Sequence, residues 1–252
     1  MLTHKQIQTF AYSTLLSLFI FSPYYFQSNI GGLGLVLPLN QSVWLFSIVF
    51  MVAMIFVMMA RTYFLYTQLF TYCLFFPITL FFIGLISIDN PHPIVWFFRE
   101  LFILGGVLFL FLLFQLRLSE LKLERILYII SISTLLHSLI GLMQIHGFDY
   151  FSKLGLMTMS IENLPIGAFQ QKNLQAIYLV TGMQISLYLV SRPSFDSTKY
   201  ISKALLVLTI PLSVYIVLCT GSRAGTLSLI VATSVLVISR YKQLKRHKLV
   251  IT

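Results

Sequence analysis

Between residues 165 and 176, read as PIGAFQQKNLQA, the polar side chains Gln170, Gln171, Lys172, Asn173 and Gln175 run straight into a stretch apolar enough to cross a bilayer. Amides and a lysine at the mouth of a membrane helix are costly unless they bind something polar or face a wet cavity. A helix beginning near residues 171–173 would add free N–H groups and the positive end of its dipole. That combination suits a phosphate, with Lys172 as a point charge and Gln171 and Asn173 as amide donors to phosphate or sugar. Gln171 and Asn173 are too close in sequence to share one helical face, so one of them acts from the turn. The plainer alternative is a polar helix cap at headgroup level.

A second polar interruption, Thr220, Gly221, Ser222 and Arg223, separates two apolar runs. Arginine is permanently charged and can hold two phosphate oxygens in one plane. Its bland counterpart is an arginine that snorkels from a helix end. Arg99 and Glu100 form a further charged pair near an expected span end, as possible lining of a polar cavity or as snorkelling side chains. His137 falls inside an apolar run and His146 at its end, with no histidine or carboxylate four residues on to make a metal pair. Such a lone histidine reads as hydrogen-bonded to a neighbouring helix. Cys73 and Cys219 lie in apolar runs as packing residues, and Gly31, Gly32 and Gly34 serve tight turns. No metal and no cofactor is implied.

The elements that position these residues follow from composition. Of 252 residues 58% are hydrophobic and 10% charged, with a mean hydropathy of +0.90. Soluble domains carry roughly 25% charged residues. An all-α polytopic membrane protein is expected, one transmembrane domain over residues 1–252 with about eight crossings of roughly 20 residues each. The spans are expected at about 8–27, 43–60, 63–87, 95–116, 126–146, 174–191, 204–219 and 224–239. With the N-terminus in the cytoplasm, the inner side holds Lys5, Arg61, Arg117, Lys122, Arg125, Arg192, Lys199, Lys203, Arg240, Lys242, Lys245, Arg246 and Lys248. The outer side holds only Arg99, Lys153, Lys172 and Arg223, as the positive-inside rule requires. The net charge of +10 is therefore a topology signal, and no nucleic acid is implied.

Along the chain, the first span reads as an uncleaved anchor. The second and third are joined by a very short connection at Arg61 and Thr62. The segment RLSELKLER, residues 117–125, reads as a solvated helix end, and residues 147–172 form the longest outer loop. That loop carries Phe148, Tyr150, Phe151, Leu154, Leu156, Met157 and Met159, apolar enough to lie on the membrane surface.

The spacing of Gly167, Gln171, Asn173 and Ala176 resembles the G-x-x-x-Q-x-N-x-x-A signature of bacterial protein O-glycosylation ligases, the pilin-type oligosaccharyltransferases, which are related to O-antigen ligases and polymerases. Ser222 and Arg223 are similar to the Ser-Arg pair that opens a later helix in that superfamily. The resemblance implies a multi-pass protein of the bacterial inner membrane that moves a glycan from a polyprenyl pyrophosphate to a hydroxyl of an acceptor such as a pilin, on the periplasmic face. It implies Arg223 as the catalytic residue, steadying the departing pyrophosphate, with Gln171, Lys172, Asn173 and Ser222 binding substrate. Leu174 stands where members often carry histidine. The family continues into further spans and a histidine-bearing outer loop, so that this chain is expected to be its N-terminal part, incomplete or complemented by another polypeptide.

Other readings are O-antigen ligation or polymerisation, a polytopic transporter or flippase lined by Arg99, Glu100, His137 and Arg223, and an inactive membrane scaffold. A transporter predicts broken helices in two related halves, and the sequence shows no such repeat. A scaffold predicts that substitutions at Gln171, Asn173 and Arg223 are silent.

Overall fold

The structure is a computed structural model that describes residues 3–22, 38–61, 63–86, 93–148, 164–169 and 171–246. The described residues contain eight α-helices and no strand: α1 (His4–Phe21), α2 (Pro38–Met59), α3 (Gln68–Ile86), α4 (Pro93–Gln115), α5 (Glu120–Ile145), α6 (Lys172–Val190), α7 (Tyr200–Cys219) and α8 (Arg223–Arg246). Two short 3-10 turns, Gly167–Phe169 and Pro193–Ser197, precede and follow α6. By length and composition, Gln68–Leu85, Glu120–Ile145, Tyr200–Cys219 and Arg223–Tyr241 can cross a membrane, and Val43–Met59 within α2 and Glu100–Gln115 within α4 are apolar stretches. The helices fall into two compact units, one of Met1–Ser17 with Trp44–Ser119, the other of Leu18–Val43 with Glu120–Thr252.

In the first unit, α1 opens with a reciprocal cap. Thr3 N–H donates to Gln6 Oε1 at 2.8 Å, and Gln6 N–H donates to Thr3 Oγ1 at 3.3 Å. The helix was expected to reach residue 27 and stops at Phe21, because Pro23 disfavours helical backbone in the residue before it. α2 and α4 run parallel, with Trp44 against Phe102 and Phe50 against Phe109, at centroid distances of 4.7 and 4.9 Å. α3 runs antiparallel to α4, since Phe70 meets Phe111 while Phe81, near the other end, stacks on Trp96.

The connection between α2 and α3 differs from the short turn expected at Arg61 and Thr62. Residues 63–67 are not helical, and α3 begins at Gln68 rather than near residue 63. The reason is the fully buried Gln115. Its Nε2 donates to Leu65 O at 2.7 Å and its Oε1 accepts from Leu65 N–H at 2.9 Å, an arrangement open only to backbone outside a helix. Arg61 donates to the carbonyl of the same Gln115. Beside it, Arg117 donates to the Tyr63 hydroxyl at 3.0 Å and holds that exposed phenol's pKa below its ordinary value.

In the second unit the directions of four helices can be read from side-chain pairs. Ser138 of α5 meets Ser213 of α7, and three residues further along each helix Gly141 meets Ile216, so α5 and α7 are parallel. Gln175 and Tyr178 of α6 meet His137 and Ser133 of α5 in reversed order, so α6 is antiparallel to both. Gln184 of α6 bonds Thr233 of α8, 49 residues on, and Ala176 packs on Gly225 at the same separation. α6 and α8 are therefore parallel and in step. The unit is an up-down-up-down bundle with an apolar core that includes Leu179, Met183, Ile216 and Val217.

One end of this bundle gathers the start of α5, the end of α6, the start of α7 and the end of α8. There Arg192 is paired with Glu120 and, at 3.0 Å, with Glu124, and it donates to the Tyr188 hydroxyl at 2.8 Å. The segment read as a solvated helix end thus supplies the first turns of α5 and clasps α6.

Candidate functional site

The opposite end of the bundle holds the residues singled out in the sequence. α6 begins at Lys172, within the expected 171–173 window, and Gln171 is its N-cap in extended conformation (φ −139°, ψ 119°) with no side-chain cap bond. Helical geometry leaves the first N–H groups of α6 without partners in the helix itself. Gln171, Lys172 and Asn173 are exposed, and Gln171 lies in the turn while Asn173 lies in the first helical turn.

The start of α8 is built differently. Gly221 takes φ +63°, a conformation that glycine adopts without strain, and closes α7 by donating to Leu218 O. Ser222 is buried and caps α8 by accepting from Gly225 N–H at 3.1 Å. Its hydroxyl sets where the helix starts, and Arg223, the first helical residue, is exposed. Because α6 and α8 are parallel and Ala176 touches Gly225 one turn in, Lys172 and Arg223 stand at neighbouring N-termini that face the same way. The two helix dipoles place their positive ends side by side, each with an exposed cation.

Beneath this end lies a layer of buried amides. Gln144 of α5 grips the turn leading into α6: its Oε1 accepts from Gly167 N–H at 2.8 Å and its Nε2 donates to Gly167 O at 3.1 Å. Gly167 sits at φ +60°, and a β-carbon there would fall 1.9 Å from Gln175 Oε1. Gln175, fully buried, donates to His137 O at 3.1 Å, and its Oε1 has no hydrogen-bond partner among the described residues. The His137 ring stacks on Phe169 at 4.8 Å and meets Tyr178 edge-on at 4.9 Å, while Tyr178 donates to Ser133 at 2.8 Å. Gly167 is therefore a structural glycine that lets the turn seat against Gln175. His137 is fully buried and forms a wall for the turn.

In the sequence Gln175 was named in the polar run without a role, and Gln144 was not singled out. The available signal was an amide inside an apolar run, which has to find partners. Gln170 lies outside the described residues, as does the greater part of the loop expected at 147–172. Arg99 and Glu100 belong to α4 in the other unit. The Arg99 side chain is outside the described residues, whereas Glu100 is buried and its Oε2 has no hydrogen-bond partner among them. Among the described residues no cluster of histidine, cysteine or carboxylate could hold a metal ion.

Compared with family models, curated proteins and solved structures, the chain matches none.

Proposed function

We propose that the paired N-termini of α6 and α8 bind the pyrophosphate of a polyprenyl-linked glycan, and that the chain is part of a membrane oligosaccharyltransferase of the protein O-glycosylation type. The observation that carries this reading is the in-step, parallel start of the two helices, each opening on an exposed cation, Lys172 and Arg223. In such a transfer an acceptor hydroxyl oxygen bonds the anomeric carbon as the bond from that carbon to the pyrophosphate oxygen breaks, and the hydroxyl proton goes to a base. Charge accumulates on the departing pyrophosphate, where a preorganised guanidinium and free N–H groups act most strongly. Lys172 adds a point charge, and Gln171 and Asn173 offer amide hydrogens to phosphate or sugar.

The same reading places eight crossings in a bacterial inner membrane, with both termini in the cytoplasm. The end bearing Arg192, Lys199, Lys203 and Arg240 then faces the cytoplasm and the end bearing Lys172 and Arg223 the periplasm. An acceptor hydroxyl on a pilin-like protein, or on a lipopolysaccharide precursor, would approach from the periplasmic side.

The test is binding of a short-chain polyprenyl pyrophosphate to the chain in lipid nanodiscs. Replacing Arg223 by Ala weakens binding by at least about tenfold, the usual size of one lost charge-assisted hydrogen bond. Arg223→Lys falls between, because an ammonium keeps the charge and loses the fork. Equal affinity in native protein, Arg223→Ala and Lys172→Ala would make both cations interfacial anchors and remove the proposed site. Orientation has its own test on a chain with Cys73 and Cys219 replaced. An impermeant thiol reagent added outside should label a cysteine at Ala224 and not one at Ser197, and the reverse pattern sinks the periplasmic placement.

A further inference from the structure

The bundle end opposite the proposed site carries a second charged surface that the glycan reading does not use. Two of its acids are committed: Glu120 and Glu124 both pair with Arg192, and Glu124 Oε1 also accepts from Ser194 at 3.0 Å, while the Asp196 side chain lies outside the described residues. The cations Arg125, Lys199 and Arg240 have no carboxylate partner among the described residues. Arg240 lies over the Tyr188 ring at 4.8 Å, and Lys203 over Phe195 at 5.4 Å, so aromatic faces hold both side chains at the rim of the bundle.

Tyr200 and Ile201, at the start of α7, are 85% and 73% exposed, and Ile238, on α8 close to the same end, is 77% exposed. Exposed tyrosine and isoleucine next to Lys199 and Arg240 describe a surface that is apolar on one side and positive on the other. In the sequence the apolar run of α8 ends before Arg240, and the helix continues through Arg246, carrying Lys242 and Lys245.

We infer that this end is a docking surface for anionic phospholipid headgroups, with the phosphates held by Arg125, Lys199, Lys203 and Arg240 and the acyl chains against Tyr200, Ile201 and Ile238. Charge complementarity selects the occupant: a zwitterionic headgroup offers no net charge to these cations, while a basic cluster next to a membrane helix gains about 1 kcal/mol for each cation from an anionic surface. The exposed apolar side chains at the same level favour a lipid over a soluble anion or an acidic protein, since neither would cover them.

The experiment reconstitutes the full chain in nanodiscs of phosphatidylcholine containing a small fraction of phosphatidylglycerol and measures the lipids retained, by native mass spectrometry. Phosphatidylglycerol should be enriched over its bulk fraction, and the enrichment should fall when salt is raised. The triple change Lys199→Gln, Lys203→Gln and Arg240→Gln should lower it by about tenfold or more, in line with three lost cations. The charge-preserving set Lys199→Arg, Lys203→Arg and Arg240→Lys should retain it. Helical content by circular dichroism identifies a misfolded variant. In that case the single change Lys199→Gln, at an exposed residue, must still lower the enrichment by itself. Retained phosphatidylglycerol equal to its bulk fraction overturns the proposal, as does enrichment that survives both neutralising variants. Loss of enrichment to inorganic phosphate at equal ionic strength would also overturn it, by showing a site for a free anion.

Discussion

Helices α3 and α5 are both long and apolar enough to span a bilayer, yet 6% of the apolar window is buried in α3 and 44% in α5. The difference is in side-chain size rather than hydropathy. α3 presents Phe75, Phe76, Phe82 and Ile83 outward, and it approaches α4 closely where Gly84 lies under Trp96. α5 instead carries Ser131, Ser133, Thr134, Ser138 and Gly141 on its buried faces. Three glycines each open one helix pair: Gly182 brings α6 onto Thr134 of α5, Gly141 brings α5 onto Ile216 of α7, and Gly225 brings α8 onto Ala176 of α6. Lipid tails are as apolar as leucine, so hydrophobicity alone gives two such helices no reason to associate. Close approach and interhelical hydrogen bonds do.

The largest effect expected from breaking this difference is at Gly182, where a β-carbon would lie 1.7 Å from Thr134 Oγ1. Gly182→Leu should destabilise the bundle by about 3 kcal/mol or more. Gly106→Leu on α4, with nothing within 4 Å, should change stability by no more than about 0.5 kcal/mol. Steric trapping in bicelles measures both, and equal effects would mean that close packing does not separate the two regions.

Next in size is the amide layer. Gln144→Leu strips both backbone partners from buried Gly167 and should cost about 3 kcal/mol, whereas Gln175→Leu loses one bond and removes an unpartnered oxygen, for about 1 kcal/mol. Reversal of that order would show that the turn is held by something other than Gln144. Smaller still, a double-mutant cycle on Ser138 and Ser213 should return a coupling of about 0.6 kcal/mol, the usual worth of a hydrogen bond between membrane helices. At the bottom of the scale, Phe82→Ala on α3 should leave stability in lipid within about 0.5 kcal/mol. A drop of several kcal/mol would mean that this phenylalanine packs against protein.

The helices were legible because long apolar runs punctuated by Arg61, Arg117, Arg192 and Gly221 leave few alternatives. The start of α6 was legible too, since four polar residues interrupt such a run. The partners of the polar residues were not legible. Gln115, Gln144 and Gln175 are all amides, the first two among apolar neighbours and the third at the end of a polar run. One straightens the α2 to α3 connection, one grips Gly167 and one reaches the carbonyl of His137. Each choice depends on which backbone group the fold brings within hydrogen-bonding distance, and local sequence carries no record of that. For the candidate site, the residues and the common side of Lys172 and Arg223 could be read, but the adjacency of their helices could not. It follows from the parallel pairing of α6 with α8, which becomes visible only through Ala176 with Gly225 and Gln184 with Thr233.

The three-residue link between α7 and α8 has a consequence for biosynthesis. Thr220 donates to Val217 O and accepts from Ser222 N–H, Gly221 donates to Leu218 O, and Ser222 accepts from Gly225 N–H. With these polar groups already satisfied within the link and its flanking turns, α7 and α8 can enter the bilayer together as a closed hairpin. In the orientation proposed above, the main charge that such an insertion has to drag through hydrocarbon is the guanidinium of Arg223, so Arg223→Gln should raise the yield of inserted hairpin in a translocon assay.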